Sequence, residues 1–425
     1  MKPLKARPKV IEERHIQPLA INLRHLRALS AVASAGSATK AARRLFRVSS
    51  AVARAVSELE DALGVPLFER RPRGMVTTGY GECVLTRARR IEREFDEARM
   101  QLVARGGVSA AQDVHAAFAS ILNGRRLAVF ASLADKRSMA VVAQEFDITQ
   151  PAISVTVKAL ETDLDVRLFD RTARGMTATP AGEIVAFYCR RVLSELRQIL
   201  PDLAAIEDRL QGSVTVGALP LGRTQILPMA IAALLRRHPQ LHVATVESPY
   251  EVLAASLRSG DVDFILGALR GPSSAWDLLE EPLFEDRISV IARAGHPLAR
   301  RHPVDILALH RATWTLSRPG APSRALFDRA FFELGQTPPI PAVETGDLAV
   351  LRGLLLESDM LTAISAHQLR YEIRDGSLVV IDFPLDGTRR SIGLSQRAGA
   401  LPSPGARALM DEIKAVVSRS ADFRS

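Results

Sequence analysis

The sequence predicts a multidomain chain: two small all-α domains of one design, each followed by a long helix, and then a C-terminal α/β half. Three observations predict it. Residues 26–82 recur as residues 127–183 without a gap, at a shift of 101, with about a third of the positions identical. Lys and Arg outnumber Asp and Glu by 15 to 6 over residues 1–80, but the counts balance at 18 and 18 over 81–210 and at 23 and 23 over 211–425. From Gly212 onward, helical periodicity gives way to strand–helix alternation.

Composition bounds the function. At 425 residues and 47% hydrophobic, the chain can bury real cores. No apolar run approaches the length of a membrane span, and the opening MKPLKARPKVIEERHIQPLA is basic without the apolar stretch of a secretory signal, so a cytoplasmic protein is expected. Cys83 and Cys189 are the only cysteines, and no Cys-x-x-Cys pair or Cys/His cluster occurs. Neither a disulfide framework nor a metal site is supported, and no cofactor is implied. Gly-x-Ser-x-Gly, His-Glu-x-x-His and a Gly-rich phosphate loop are missing, which argues against an enzyme. A basic end on a neutral chain is the footprint of polyanion binding, with a solubilising tail as the alternative.

Within the second copy, Leu127, Phe130, Ala131 and Ala134 keep helical spacing until Asp135-Lys136-Arg137 interrupts them. Ser138 then offers an N-cap before Met139, Val142, Ala143 and Phe146 on one face. A turn at Asp147-Ile148-Thr149 leads into a third helix reaching about Leu164, capped by Thr149 and with Pro151 in its first turn, where a missing N–H costs nothing. Two helices joined by a tight turn have helix-turn-helix geometry, whose second helix enters the DNA major groove. Val166, Leu168 and Phe169 then alternate with polar residues, and Arg171, Arg174 and Gly175 fall in a turn before Met176 and Thr179. This is similar to the β-wing of a winged helix. Arg on a wing reaches phosphate or the minor groove; the alternative is a hairpin that only covers the three-helix core.

At these residues the chain resembles the LysR-type transcriptional regulators. That family's recognition helix opens with Ser/Thr-Gln-Pro-Ala and runs through Ser-Arg to Leu-Glu, ahead of a Leu-Phe and Arg-Gly wing. The second copy supplies Thr149, Gln150, Pro151, Ala152, Ser154, Leu160, Glu161, Leu168, Phe169, Arg171 and Gly175. The resemblance implies two winged helix-turn-helix domains that bind double-stranded DNA, where the family usually carries one. The copies have diverged in complementary ways. The first has Val48 at the cap and Ser49-Ser50 for Gln-Pro but keeps Arg54 at the family's Arg, whereas the second has Val155 there. The first holds 9 basic against 5 acidic residues, the second 6 against 8. The expected DNA-binding residues are therefore Thr149, Gln150, Pro151, Ser154, Lys158, Arg171 and Arg174 in the second copy, and Ser49, Ser50, Arg54, Arg70, Arg71 and Arg73 in the first. Gln makes bidentate contacts to adenine and Arg to guanine, so the first copy would supply field and the second most of the reading chemistry.

Each wing precedes a long amphipathic helix, roughly 81–104, broken by Gly106-Gly107, and roughly 181–210, which Pro201 should kink. The resemblance implies that such a linker helix pairs two subunits of a homodimer or homotetramer, with Val185, Val192, Leu196 and Leu200 as the seam; packing on its own domain is the alternative.

In the last half, SVTVGA, LHVATV and VDFILGA read as strands of a parallel α/β sheet alternating with helices over 225–237 and 250–257, and SIGLSQ with a helix near 404–417 returns to the first set. This resembles the family's effector domain, a two-lobed α/β fold like a periplasmic binding protein. Ligands in open sheets lie beyond the carboxyl ends of strands, which nominates Leu221, Thr224, Ser248, Tyr250, Ser317, Arg318, Ser323 and Thr345, with Arg223 and Arg324 as further charge. Ordinary capping is the alternative for each. Leu221 stands where many members have Ser or Thr, and SDMLTAIS with SIGLSQR looks most like the subgroup tied to sugar-binding-protein and aromatic-acid genes. The expected partition is a basic extension at 1–21, the first winged helix-turn-helix at 22–82, linkers at 83–122, the second at 123–183, a dimerisation helix at 184–210 and the effector domain at 211–425, its second lobe about 275–370. The function expected is that of a sequence-specific transcription regulator sensing a small organic acid or sugar-like metabolite. The alternatives are an architectural, weakly specific DNA binder with a vestigial sensor, and, third, an α/β enzyme fused to DNA-binding domains.

Overall fold

The computed structural model describes residues 21–72, 74–106, 117–172, 175–271, 277–420 and 423. The chain forms two compact units, Met1–Gly212 with Ser259–Asp261, and Ser213–Arg258 with Val262–Ser425.

In the first unit the same order of elements recurs. Helices α1 (Leu23–Ala35), α2 (Ala38–Arg44) and α3 (Ser49–Leu63), hairpin β1 (Phe68–Arg71) and β2 (Gly74–Thr77), and long helix α4 (Gly79–Ala104) come first. Helices α5 (Gly124–Lys136), α6 (Met139–Glu145) and α7 (Gln150–Leu164), hairpin β3 (Phe169–Thr172) and β4 (Gly175–Ala178), and long helix α8 (Pro180–Ile206) follow. Local chemistry sets the boundaries. Asn22 and Asn123 cap α1 and α5, Ser37 and Ser138 cap α2 and α6, and each side-chain oxygen accepts a first-turn N–H. Thr149 caps α7 through the N–H of Ala152, whereas Val48 gives α3 no side-chain cap. Apolar residues at helical spacing fill the cores: Val52, Val56, Leu59 and Leu63 of α3 are buried, as are Ile153, Val157, Leu160 and Leu164 of α7.

The repeated motif residues hold each wing in place. The Glu60 carboxylate accepts from the N–H groups of Leu67 and Phe68 at 2.7 and 3.2 Å, and Glu161 does the same for Leu168 and Phe169 at 2.8 and 3.3 Å. Both hairpins close on a glycine with positive φ, +135° at Gly74 and +110° at Gly175. A Cβ there would stand 2.5 Å from the Gly36 carbonyl oxygen in one case and 2.3 Å from that of Arg137 in the other. The next residue donates to that same carbonyl, Met75 to Gly36 and Met176 to Arg137, both at 2.8 Å. The Arg-Gly of the wing thus has a packing reason for its glycine.

Helix α8 runs through Pro201 to Ile206, ending earlier than the sequence led us to expect. Its seam has a different partner from the one expected. Val185, Val192 and Leu196 are buried in a single apolar cluster that includes both helix-turn-helix segments and residues of α4 such as Val84, Ala88, Ile91 and Phe95; half-buried Leu200 packs against it. The polar side chains of α8 meet α4 of the same chain, so this face is occupied without a second subunit.

The second unit has two five-stranded sheets. One has the order β6-β5-β7-β14-β8, built from β5 (Gly212–Ala218), β6 (Leu241–Val246), β7 (Phe264–Ala268), β8 (Leu278–Asp286) and β14 (Arg390–Arg397). The other has the order β11-β10-β12-β9-β13, built from β9 (Ile288–Arg293), β10 (Thr313–Leu316), β11 (Val343–Glu344), β12 (Met360–Ser365) and β13 (Leu378–Val380). β5 and β7 run parallel, but β14 is antiparallel to β7 and β8, and β12 and β13 are antiparallel to β9, so both sheets are mixed. The second lobe begins with β9 and extends to β13; β8, inside the span expected for that lobe, belongs to the first sheet.

Candidate DNA interface and effector cleft

Helices α3 and α7 bury one face and leave the other free. On α7, Gln150, Pro151, Ala152, Val155 and Lys158 are exposed and Ser154 is half-buried. On α3, Ser49, Ser50, Arg54 and Ser57 are exposed. Arg54 lies along its own helix, its Nε 2.7 Å from a Glu58 oxygen, and the other Glu58 oxygen is 3.2 Å from Nε2 of His25. The Arg54 hydrogen bond, together with its charge and that of His25, holds the Glu58 carboxyl below its ordinary range despite some desolvation. A base contact by Arg54 would have to exchange this exposed pair for guanine, a weak competitor in high-dielectric surroundings. The turn before α3 carries an exposed apolar pair, Phe46 at 94% and Val48 at 68%, where the turn before α7 carries Asp147 and Thr149. Phe46 and Asp147 share a left-handed backbone, φ +53° and +49°.

On the wings, Arg70 and Arg71 are exposed on β1 and Arg171 on β3. Arg71 pairs with Glu69 at 2.9 Å. Arg73 and Arg174 lie outside the described residues.

The two long helices run antiparallel. Arg90 of α4 meets Glu195 of α8 at 2.8 Å, and Arg191 of α8 meets Glu94 of α4 at 2.8 Å. These two pairs exchange under the shift of 101 that relates the segments, as contacts across a two-fold axis do. The flanks exchange as well but with different chemistry. Arg87, 1% exposed, lies 2.7 Å from Glu195 and 2.6 Å from Asp202. Burial works against its charge, and the two carboxylates outweigh that and raise its pKa. The positions corresponding to Arg87 and Asp202 are Tyr188 and Gln101, whose side chains share a neutral hydrogen bond of 2.9 Å. Burial, reinforced by Glu97, pushes the Tyr188 phenol up to about 12.

In the second unit the nominated residues follow strands or lie in the helices after them, with unequal freedom. Thr224 donates toward the Leu221 carbonyl at 3.3 Å and that of His367 in the second lobe at 3.4 Å, and Leu221 itself is buried. Ser323 and Ser317 bond each other at 3.1 Å, and Thr345 accepts the Asp347 N–H at 3.0 Å. Arg324 is held by Asp328 at 2.8 Å and Glu344 at 3.2 Å, which removes it as free charge. Arg318 is exposed and Ser248 half-buried. Tyr250 is 8% exposed, and its hydroxyl is buried without a hydrogen-bond partner among the described residues. Sequence reasoning missed Arg270, just beyond the carboxyl end of β7, whose guanidinium stacks 4.3 Å from the Tyr250 ring centre. Burial, above all, lowers its pKa from the ordinary value. No motif marks Arg270; only the fold brings it to Tyr250.

Two helix-turn-helix segments and a two-lobed α/β unit define a ligand-responsive DNA-binding protein, and the comparisons with known proteins agree. A family profile described as "Bacterial regulatory helix-turn-helix protein, lysR family" matches residues 23–82 and again 125–183, and "LysR substrate binding domain" matches 207–418. The HTH-type transcriptional regulator GalR of Pseudomonas putida is 47% identical over 400 residues, covering 94% of this chain and 98% of that protein. The chain therefore belongs to the LysR family: it is a DNA-binding transcription regulator with a C-terminal sensor domain, not an enzyme. PcaQ of Agrobacterium fabrum is 28% identical over 302 residues, 71% of this chain and 97% of that protein. Among solved structures, a full-length OxyR variant from Pseudomonas aeruginosa shares the fold at a TM-score of 0.54 and 24% identity, over 71% of this chain and 96% of its own. Among the described residues, no helix is long and apolar enough to cross a membrane.

Proposed function

We propose that the two helix-turn-helix segments are a duplicated DNA-binding module with divided labour, the second carrying most of the base reading and the first most of the phosphate contacts. The observation that carries this reading is the N-terminal edge of α7, where the Thr149 cap fixes an exposed Gln150 at the first helical position, while Arg70 and Arg71 stand exposed on the first wing. Salt-dependent binding tests it: Gln150→Ala should cost about 1–3 kcal/mol at the operator with an unchanged salt slope, a loss of base reading rather than of charge. Equal binding of this variant and the parent to operator and scrambled DNA would reject it.

The effector we propose is a small polar metabolite carrying a carboxylate. A desolvated guanidinium over an aromatic ring, next to a buried hydroxyl lacking a partner among the described residues, is a recognition surface for such an anion. Oligomers of such chains would use surfaces other than the α4–α8 seam.

A further inference from the structure

We propose that one chain reads two unlike DNA half-sites at once, α3 taking one and α7 the other, with α4 and α8 as an internal dimer interface. The proposal rests on the reading of both segments as DNA-binding modules given above. Dimeric helix-turn-helix proteins bind palindromes because two identical recognition helices are related by a two-fold axis. Here the exchange of Arg90–Glu195 with Arg191–Glu94 supplies the two-fold relation inside one chain, but the helices it relates are not identical. Their buried positions match, Val56 with Val157 and Leu59 with Leu160, while exposed Ser49 and Arg54 have Gln150 and Val155 as counterparts. The packing is kept and the reading chemistry changed, so the preferred bases must differ: adenine suits Gln150 and guanine suits Arg54.

The interface itself favours unlike partners. Its charged end, Arg87–Asp202, and its neutral end, Tyr188–Gln101, occupy corresponding positions. Pairing two like segments between chains would set buried Arg87 against Gln101, leaving it one carboxylate in place of two, or would set Asp202 against Tyr188 with no guanidinium, so each like pairing loses a charge-assisted bond.

The test is selection of binding sites by the full-length chain from random duplexes about two helical turns long, repeated with Gln150→Ala and Arg54→Ala. Both side chains are exposed, so the fold should persist, which an unchanged melting temperature checks. Two dissimilar half-sites are expected, with Gln150→Ala relaxing a base preference about tenfold in one half only and Arg54→Ala in the other half only. A palindrome whose halves both relax in Gln150→Ala would overturn the proposal while leaving sequence-specific binding intact. No enrichment of any sequence would overturn that underlying reading itself.

Discussion

Arg90 and Glu195 lie 105 positions apart and meet at 2.8 Å, and each has its repeat-mate in the other half of a second pair, Arg191 with Glu94. Buried ion pairs add little net stability, because desolvation offsets attraction, but they fix which surfaces pair and in what register. The single variants Glu94→Ala and Arg191→Ala should each destabilise by about 3–5 kcal/mol, with a coupling in the double variant of about 0.5–3 kcal/mol. Thermal unfolding checks this, and because the pair is within one chain the coupling should not vary with protein concentration.

The wing glycines give a second expectation. Gly175→Ala forces a Cβ to 2.3 Å from the Arg137 carbonyl oxygen at φ +110°, so it should destabilise the first unit by more than about 1–3 kcal/mol. Gly335→Ala, at φ +71° with nothing within 4 Å, should cost only about 1 kcal/mol. Denaturant midpoints of the two variants would separate close packing from backbone preference.

Charge on the first wing should act on affinity rather than selectivity. Replacing Arg70, Arg71 and Arg73 by Ala should weaken binding to all sequences alike and lower the slope of log affinity against log salt by up to roughly three. A titration series in potassium chloride on operator and scrambled DNA reads both quantities.

Burial raises the Cys189 thiol to about 12, and burial with nearby Asp202 raises Cys83 to about 11. Both are neutral at about pH 8, so alkylation should be slow until the chain unfolds. The linkage has a definite sign. A folded pKa above the ordinary 9.0 favours the neutral thiol in the fold, so this contribution is full below pH 9 and declines as pH rises toward 11 and then 12. Melting temperatures measured across that window should fall, and less steeply in Cys189→Ala.

For the sensor, Arg270→Ala should abolish the melting shift given by a carboxylate ligand found by screening, about 2.7 kcal/mol at a hundred times its dissociation constant, while Arg324→Ala should retain it. Equal shifts in the two variants would reject the site proposed at Arg270 and Tyr250.

Periodicity and capping made most of the fold legible. Thr149, Pro151 and Ser138 bounded helices that formed where the residues required, and the repeated Leu-Glu and Arg-Gly pairs marked both wings. The partner of α8 was not legible from its seam, since an apolar stripe packs equally well in cis or in trans. A signal was nonetheless present: the repeat continues sparsely beyond residue 183, with Arg90 and Glu94 returning as Arg191 and Glu195. Arg270 left no trace in sequence, because the role proposed for it depends on a contact with Tyr250 twenty residues away.

The two helix-turn-helix segments pair within one chain through α4 and α8. The double variant Gln101→Cys with Tyr188→Cys, at side chains that meet at 2.9 Å across α4 and α8, in a background with Cys83→Ala and Cys189→Ala, tests it most directly. Treatment of the full-length protein with a short bifunctional maleimide, followed by denaturing electrophoresis, should give a species of single-chain mass with altered mobility. A covalent species of twice the chain mass as the main product would contradict pairing within one chain.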